Sequence, residues 1–154
     1  MITLISGTIR PGSRTRGMVY YSRDALVQMG EQPTVLLTEG IDLNRRTPAL
    51  EKVENEVLIP SDKFIFILPE YNGSFPGAIK TLIDMCRIPE CFYGKKALLT
   101  GVADGRAGNL RGMEHFTGIL THMRVVVHPD RLPISLIKNL VNEKGELTDP
   151  ETRR

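Results

Sequence analysis

Five short segments of this chain are apolar almost without interruption, and amphipathic stretches lie between them. They run from Thr3 to Ser6, Thr34 to Leu37, Lys63 to Leu68, Ala97 to Val102 and Met123 to His128. Apolar runs of this kind, rather than strict alternation, suit strands covered on both faces. Met18, Val19, Ala25, Leu26 and Met29 repeat at helical spacing, with Gly30 as a C-terminal stop. Ile79, Leu82, Ile83 and Cys86 follow i, i+3, i+4, i+7, and Leu110, Met113, Thr117 and Leu120 predict a helix that ends before His122. After Thr47-Pro48, Leu50, Val53, Val57 and Leu58 allow a shorter one.

Strands alternating with helices argue for an α/β protein with a five-stranded, doubly wound parallel sheet in the order 2-1-3-4-5. Nothing repeats and no low-complexity linker divides the chain, so residues 1–154 are expected to form one domain. Near the C-terminus, Ser135 is placed to cap a helix through Leu136, Ile137, Leu140 and Val141, with Gly145 stopping it. Thr148-Asp149-Pro150-Glu151 then has the pattern of a new helix start.

Candidate chemistry sits where strands spill into loops. The first loop, Ser6-Gly7-Thr8-Ile9-Arg10-Pro11-Gly12-Ser13-Arg14-Thr15, follows the first strand and opens the first helix. Glycines permit close backbone approach, the hydroxyls of Thr8, Ser13 and Thr15 can donate, and a helix N-terminus favours negative charge. Arg10 and Arg14 add planar cationic donors. The pattern suits a monophosphate. No Gly-Lys-Ser/Thr follows, and glycines at 7, 12 and 17 do not make a dinucleotide fingerprint. Read without a ligand, the same segment is a polar turn with ordinary capping.

The second loop, Pro69-Glu70-Tyr71-Asn72-Gly73-Ser74-Phe75-Pro76-Gly77, follows the third strand. Pro69 can set the turn, Gly73 can free backbone amides, and Tyr71 offers a ring to a planar ligand; Ser74 or Pro76 would start the next helix. The third, Gly101-Val102-Ala103-Asp104-Gly105-Arg106-Ala107-Gly108-Asn109, follows the fourth strand. There Arg106 can face a ligand, cap a helix or pair with a carboxylate, and Asp104 can be a simple helix-start residue. In a 2-1-3-4-5 sheet the first and third strands meet at the switch point, so these loops border one crevice. A ligand with a phosphate and a flat ring is the economical reading.

These residues resemble the NAD(P)H-dependent FMN reductase family, which includes azo-, quinone- and chromate-reducing enzymes of flavodoxin-like fold. The likeness rests on Gly7-Thr8-Ile9-Arg10-Pro11-Gly12-Ser13 with Thr15, on Pro69 to Gly77 leading to Lys80 and Asp84, and on Gly105-Arg106-Ala107-Gly108, across roughly residues 1–130. It implies a three-layer sandwich in which Thr8, Arg10, Ser13 and Thr15 hold the FMN phosphate, with Arg14 assisting. It implies that Pro69, Glu70, Tyr71, Asn72 and Gly73 lie along the isoalloxazine, and that Asp104, Gly105 and Arg106 border its other edge. FMN would be the cofactor, NAD(P)H the co-substrate and a quinone, azo compound or flavin the small acceptor. A homodimer or homotetramer, with a neighbouring subunit walling the site, is implied too. Arg14 departs from the small or polar residue usual at its position. Family members also continue the final helix past residue 154, so thinner cover over one sheet face is expected here.

Composition trims the alternatives. Hydrophobic residues make up 41% and charged residues 25%, ordinary for a soluble globular protein, and a net charge of +2 gives no special case for nucleic acid. No apolar stretch approaches the ~20 residues of a membrane helix. Met1-Ile2-Thr3-Leu4-Ile5 lacks a charged n-region, so a cytoplasmic protein without a signal peptide is expected. Cys86 and Cys91 are not spaced as Cys-x-x-Cys, and His115, His122 and His128 form no metal-ligand pattern. A buried thiol is expected at Cys86 and a more open one at Cys91. The alternative to an enzyme is a flavodoxin-like electron carrier or a flavin-binding protein without turnover; carriers are typically acidic and aromatic-flanked, whereas this chain is slightly basic and has no Trp.

Overall fold

The computed structural model describes residues 1–142 and 146–151. A parallel sheet runs β1 (Ile2–Ser6), β2 (Thr34–Leu37), β3 (Lys63–Pro69), β4 (Lys96–Val102), β5 (Val126–Val127) and β6 (Leu132–Ile134). Its order is β2-β1-β3-β4-β5, with β6 also paired to β4. The helices are α1 (Arg14–Gln28), α2 (Pro48–Val53), α3 (Gly77–Met85), α4 (Ile88–Phe92), α5 (Leu110–His122) and α6 (Ile137–Leu140). A π-helical turn, Glu54–Leu58, continues α2. The expected flavodoxin-like α/β topology is therefore present.

Alternation along β3 divides the core in two. Phe64, Phe66 and Leu68 join Leu99, Ile79, Leu82, Met113 and Phe116 beneath α3 and α5. Ile67 faces the other way, against Leu4, Val102, Met18, Val19 and Ile137 under α1 and α6. Phe66 and Phe116 meet edge to face with ring centroids 5.0 Å apart, an arrangement aromatic quadrupoles favour. The second face is thinner. Where β3, β4 and β5 begin, an apolar cleft of about 420 Å³ opens over Ile2, Ile65, Leu98 and Val126.

The fifth strand position departs from expectation. Met123 to His128 was expected to be continuous, but only Val126–Val127 forms strand. α5 runs on through His122, and Arg124 turns the chain with a left-handed φ of 56°. A second short segment, β6, then completes the same edge of β4, pairing Leu132 to Ile134 with Thr100 to Val102. Ser135 does not cap α6. Its hydroxyl donates to the Arg106 carbonyl at 2.6 Å, while Leu136 stands before the helix without a side-chain cap. Gly145 lies outside the described residues. No helix starts at Thr148 among them: Val141 bridges Leu147, and the Thr148 N–H donates to the Leu140 carbonyl at 2.7 Å, folding the chain back. Among the described residues no helix is long and apolar enough to cross a membrane.

Candidate functional site

Three loops converge at the carboxyl ends of β1, β3 and β4. The first leaves β1 hard against β3: the Gly7 N–H donates to the Ile67 carbonyl at 2.9 Å, and a Cβ on Gly7 would lie 2.7 Å from Leu68 Cδ2. A side chain there would have to push Leu68 aside and crowd the Ile67 carbonyl. Thr8 is buried; its hydroxyl accepts the Arg10 N–H at 3.2 Å and hydrogen-bonds the Tyr71 hydroxyl at 2.6 Å. The Thr38 hydroxyl lies within bonding distance of the Ser6 and Thr8 carbonyls, at 3.0 and 2.8 Å, and holds the same bend from the β2 side.

Ser13 then starts α1, its hydroxyl accepting the Arg16 N–H. The N–H groups of Arg14 and Thr15, first in the helix, have no acceptor within it. No acidic residue occupies the first turn, so the positive end of the helix dipole is not neutralised from within.

In the second loop, Asn72 and Gly73 both take positive φ, 52° and 77°, and two backbone hydrogen bonds join Tyr71 to Ser74. This is the two-residue turn that Asn-Gly favours, because both central residues must be left-handed. Pro76 precedes α3, which begins at Gly77. The Glu70 N–H donates to the Val102 carbonyl at 2.9 Å, pinning the loop to β4. The Arg10 guanidinium lies 4.1 Å over the Tyr71 ring centroid and joins the first loop to the second.

The third loop is held from behind by β6 and α6. Ala103 donates to Ile134, while Leu136 and Ile137 donate back to Gly105 and Ala103. Arg14 and Asp104 approach to 3.8 Å across the mouth, both well exposed.

Between the loops lies a cleft of about 270 Å³. Of the residues expected from sequence, Arg10, Ser13, Arg14, Thr15, Pro69, Glu70, Tyr71 and Asp104 line it. Thr8 stands behind the wall, its hydroxyl engaged by Tyr71; Asn72, Gly73, Gly105 and Arg106 lie outside the lining. Pro11, Val102, Ala103 and Ile137 line it as well. Ile137 carried a signal only as an apolar residue of a C-terminal helix, which says nothing of the cleft.

A second polar cluster lies at the far end of α3. The buried stripe of α2 and its π-helical continuation reads Leu50, Glu54, Leu58, with a carboxylate where an apolar residue is expected. Glu54 is fully enclosed and ion-pairs with Arg46 and Arg87; it also accepts the Arg87 N–H at 2.6 Å. Burial pushes its carboxyl up, but the Arg46 hydrogen bond, the Arg87 N–H and the two guanidinium charges outweigh that and hold it below the usual carboxylate range. Cys86 and Cys91 adjoin it, both free thiols. Cys91, expected to be the more open, is fully buried because α4 packs it inward; Cys86 is buried as expected. A Glu54 oxygen and the two thiol sulfurs lie within 4.8 Å of one another. Glu54 gave no sequence signal. It is eight residues from Arg46 and thirty-three from Arg87, and only the fold brings them together.

A family model described as NADPH-dependent FMN reductase matches residues 1–137. An NAD(P)H-dependent FMN reductase of Pseudomonas aeruginosa is 30% identical over 97% of this chain and 85% of that protein. A quinone reductase of Escherichia coli is 27% identical over 99% of the chain and 86% of its own length. Among solved structures, a flavoenzyme NAD(P)H:(acceptor) oxidoreductase of Paracoccus denitrificans superposes with a TM-score of 0.80 at 20% identity, covering 98% of this chain and 87% of that one. Its likeness shows the fold, and the family match gives that fold an identity. The chain belongs to the NADPH-dependent FMN reductase family.

Proposed function

We propose that this chain binds FMN in the three-loop cleft and passes electrons from a reduced nicotinamide to a small acceptor of the quinone class. The observation that carries the reading is the donor set. Arg10, Arg14 and the open N–H groups of α1 face one cleft with no acidic residue in the helix's first turn, and the Tyr71 ring flanks it. Those residues fit a monophosphate joined to a flat ring. FMN, when bound, supplies the redox chemistry, accepting hydride from the nicotinamide and returning electrons to the acceptor.

The protein's part is binding and orientation. Arg10 and the α1 terminus neutralise the phosphate, with Arg14 assisting. Ser13 keeps the helix start in place by capping it. Thr8 and Tyr71 brace each other, so the ring beside the cleft is fixed before a ligand arrives. Asn72 and Gly73 shape the turn that carries Tyr71, and Glu70 anchors it to β4. Asp104 borders the opposite edge, with Gly105 and Arg106 next along the same loop. No nucleophile–base pair is required of the side chains. A single cleft serving nicotinamide and acceptor in turn gives ping-pong kinetics, with parallel double-reciprocal lines. The family and the relatives are named as reductases, whereas flavodoxins share only the fold, as in an archaeal flavodoxin with a TM-score of 0.60 at 11% identity. We place this domain in the cytoplasm as a homodimer or homotetramer.

The test is the visible spectrum after adding FMN and removing unbound ligand, followed by NADH and NADPH oxidation with benzoquinone. A retained flavin band and acceptor-dependent turnover support the reading. Folded protein that retains no flavin overturns it.

A further inference from the structure

We propose that Cys86 and Cys91 form a dithiol that closes reversibly to a disulfide, a redox site separate from the flavin cleft. Both thiols are free, and with a Glu54 oxygen they lie within 4.8 Å of one another. The sulfurs start no more than 4.8 Å apart and must close to about 2.05 Å. The chain is built for that. Cys86 ends α3 with an extended ψ of 156°, and Cys91 sits in α4, which is only five residues long. Neither cysteine lies in a strand, so the movement that closure needs falls on the end of α3 and on α4 rather than on the sheet.

The surroundings divide the two thiols into unlike partners. A hydrogen bond from Cys86 draws the Cys91 thiol down against the opposing effects of burial and of the Glu54 charge, and the charges of Lys95 and Arg87 help. The same hydrogen bond, together with burial, pushes Cys86 up. One sulfur is thus the better nucleophile and the other its proton-bearing neighbour, the asymmetry that thiol–disulfide chemistry uses. A metal ion fits less well. Both Glu54 oxygens are already taken by Arg46 and Arg87, which would set two guanidinium charges against the cation.

Those same bonds let the cluster accept either redox state. Oxidation removes from Glu54 only the distant Cys91 thiol contact, at 4.0 Å, and leaves its arginine partners in place. With hydrogen peroxide as oxidant, entering on the side of Cys86, the less enclosed thiol, the Cys91 thiolate attacks one oxygen and the O–O bond breaks. The departing hydroxide takes a proton to become water, and Cys91 becomes a sulfenic acid. The Cys86 sulfur then attacks Cys91 Sγ, the S–O bond breaks, and the leaving hydroxide carries off the Cys86 proton as a second water. Two sulfurs have given one electron each to the peroxide, and one S–S bond has formed. An external dithiol reverses it by exchange.

The full chain, reduced and freed of reductant, is treated with hydrogen peroxide while circular dichroism confirms that it stays folded. Free thiols are then counted in denaturant and tryptic peptides weighed; cleavage after Arg87 separates the two cysteines. The expected result is joint loss of both thiols, loss of the mass of two hydrogen atoms, and linked peptides that dithiothreitol releases. In Cys86→Ser, the Cys91 thiol should stop at an oxygenated acid without a link. Folded protein that keeps both thiols, or gains oxygen at one without a link, overturns the proposal. Flavin is not read in this experiment, so its failure leaves the FMN reading untouched.

Discussion

The two ends of α3 hold polar clusters of similar ingredients and opposite character. At the C-terminal end, Arg46 and Arg87 converge on Glu54, and their remaining donors reach the Met85 carbonyl and Asn55. Every strong group there has a partner inside the protein. At the N-terminal end, Arg10 rests on the Tyr71 ring, Arg14 holds one long exposed pair, and the first N–H groups of α1 stay open. Arginine is plentiful at both. What distinguishes a ligand site from a structural one here is donor capacity left unspent, because an internally satisfied guanidinium has little to offer a phosphate.

The most severe way to break that contrast is to empty the structural end. Glu54→Ala removes the carboxylate that Arg46 and Arg87 share. Because both arginine side chains are more than a third exposed and can turn to water, the loss should be on the order of 1.5–3 kcal/mol. Urea unfolding should show it, with flavin binding kept by whatever fraction remains folded. Acid should make the same point reversibly. The Glu54 carboxyl is held below its ordinary 4.5, so its contribution is fully present above that pH and lost as pH falls through the lower folded value. In Glu54→Gln the unfolding midpoint should fall less steeply with acid than in the parent protein. An equal slope would mean that another group governs acid unfolding.

Arg10→Ala should do the reverse, weakening ligand binding while leaving the fold nearly unchanged. Loss of a charge-assisted contact of roughly 1.5–3 kcal/mol lowers FMN affinity about ten- to a hundredfold. Quenching of flavin fluorescence on titration measures it. An unchanged affinity would remove Arg10 from the phosphate site. Tyr71→Phe is milder, because the ring and its guanidinium contact remain while the 2.6 Å bond to Thr8 is lost. About 0.5–1.5 kcal/mol of stability should go with that bond, read from the thermal midpoint.

The same contrast explains what could be read in advance. Local pattern was enough for β1 to β4, for α1, α3 and α5, and for the loops at strand ends, since each depends on near neighbours. Residues such as Arg10, Ser13 and Tyr71 stand out because they sit in unusual local company. Glu54 stands among ordinary helical neighbours, and its meaning lies in Arg87, thirty-three positions on. The split edge strand was hidden for a related reason. Arg124 takes the left-handed position that closes α5, with the Arg124 and Val125 N–H groups donating to Thr121 and Leu120. A glycine usually marks that position and none does here; β6 then pairs the edge of β4 beyond β5. The burial of Cys91 has no sequence signal because α4, five residues long, is too brief to show periodicity.

Arg14 offers the smallest and sharpest test of the open end. Its pair with Asp104 spans 3.8 Å between exposed groups, and such pairs contribute about 0–1 kcal/mol and weaken with salt. Arg14→Ser should therefore leave the thermal midpoint almost unmoved. Its effect on FMN should be less than about fivefold, consistent with a screened charge worth under ~1 kcal/mol, and should shrink as salt is raised. Arg10, stacked on Tyr71 and lining the cleft, should lose affinity at low and high salt alike. If both variants showed the same magnitude and the same salt dependence, the cleft would be attracting its ligand by general positive charge. The division into an arginine positioned by the Tyr71 ring and one held only by an exposed ion pair would then fail.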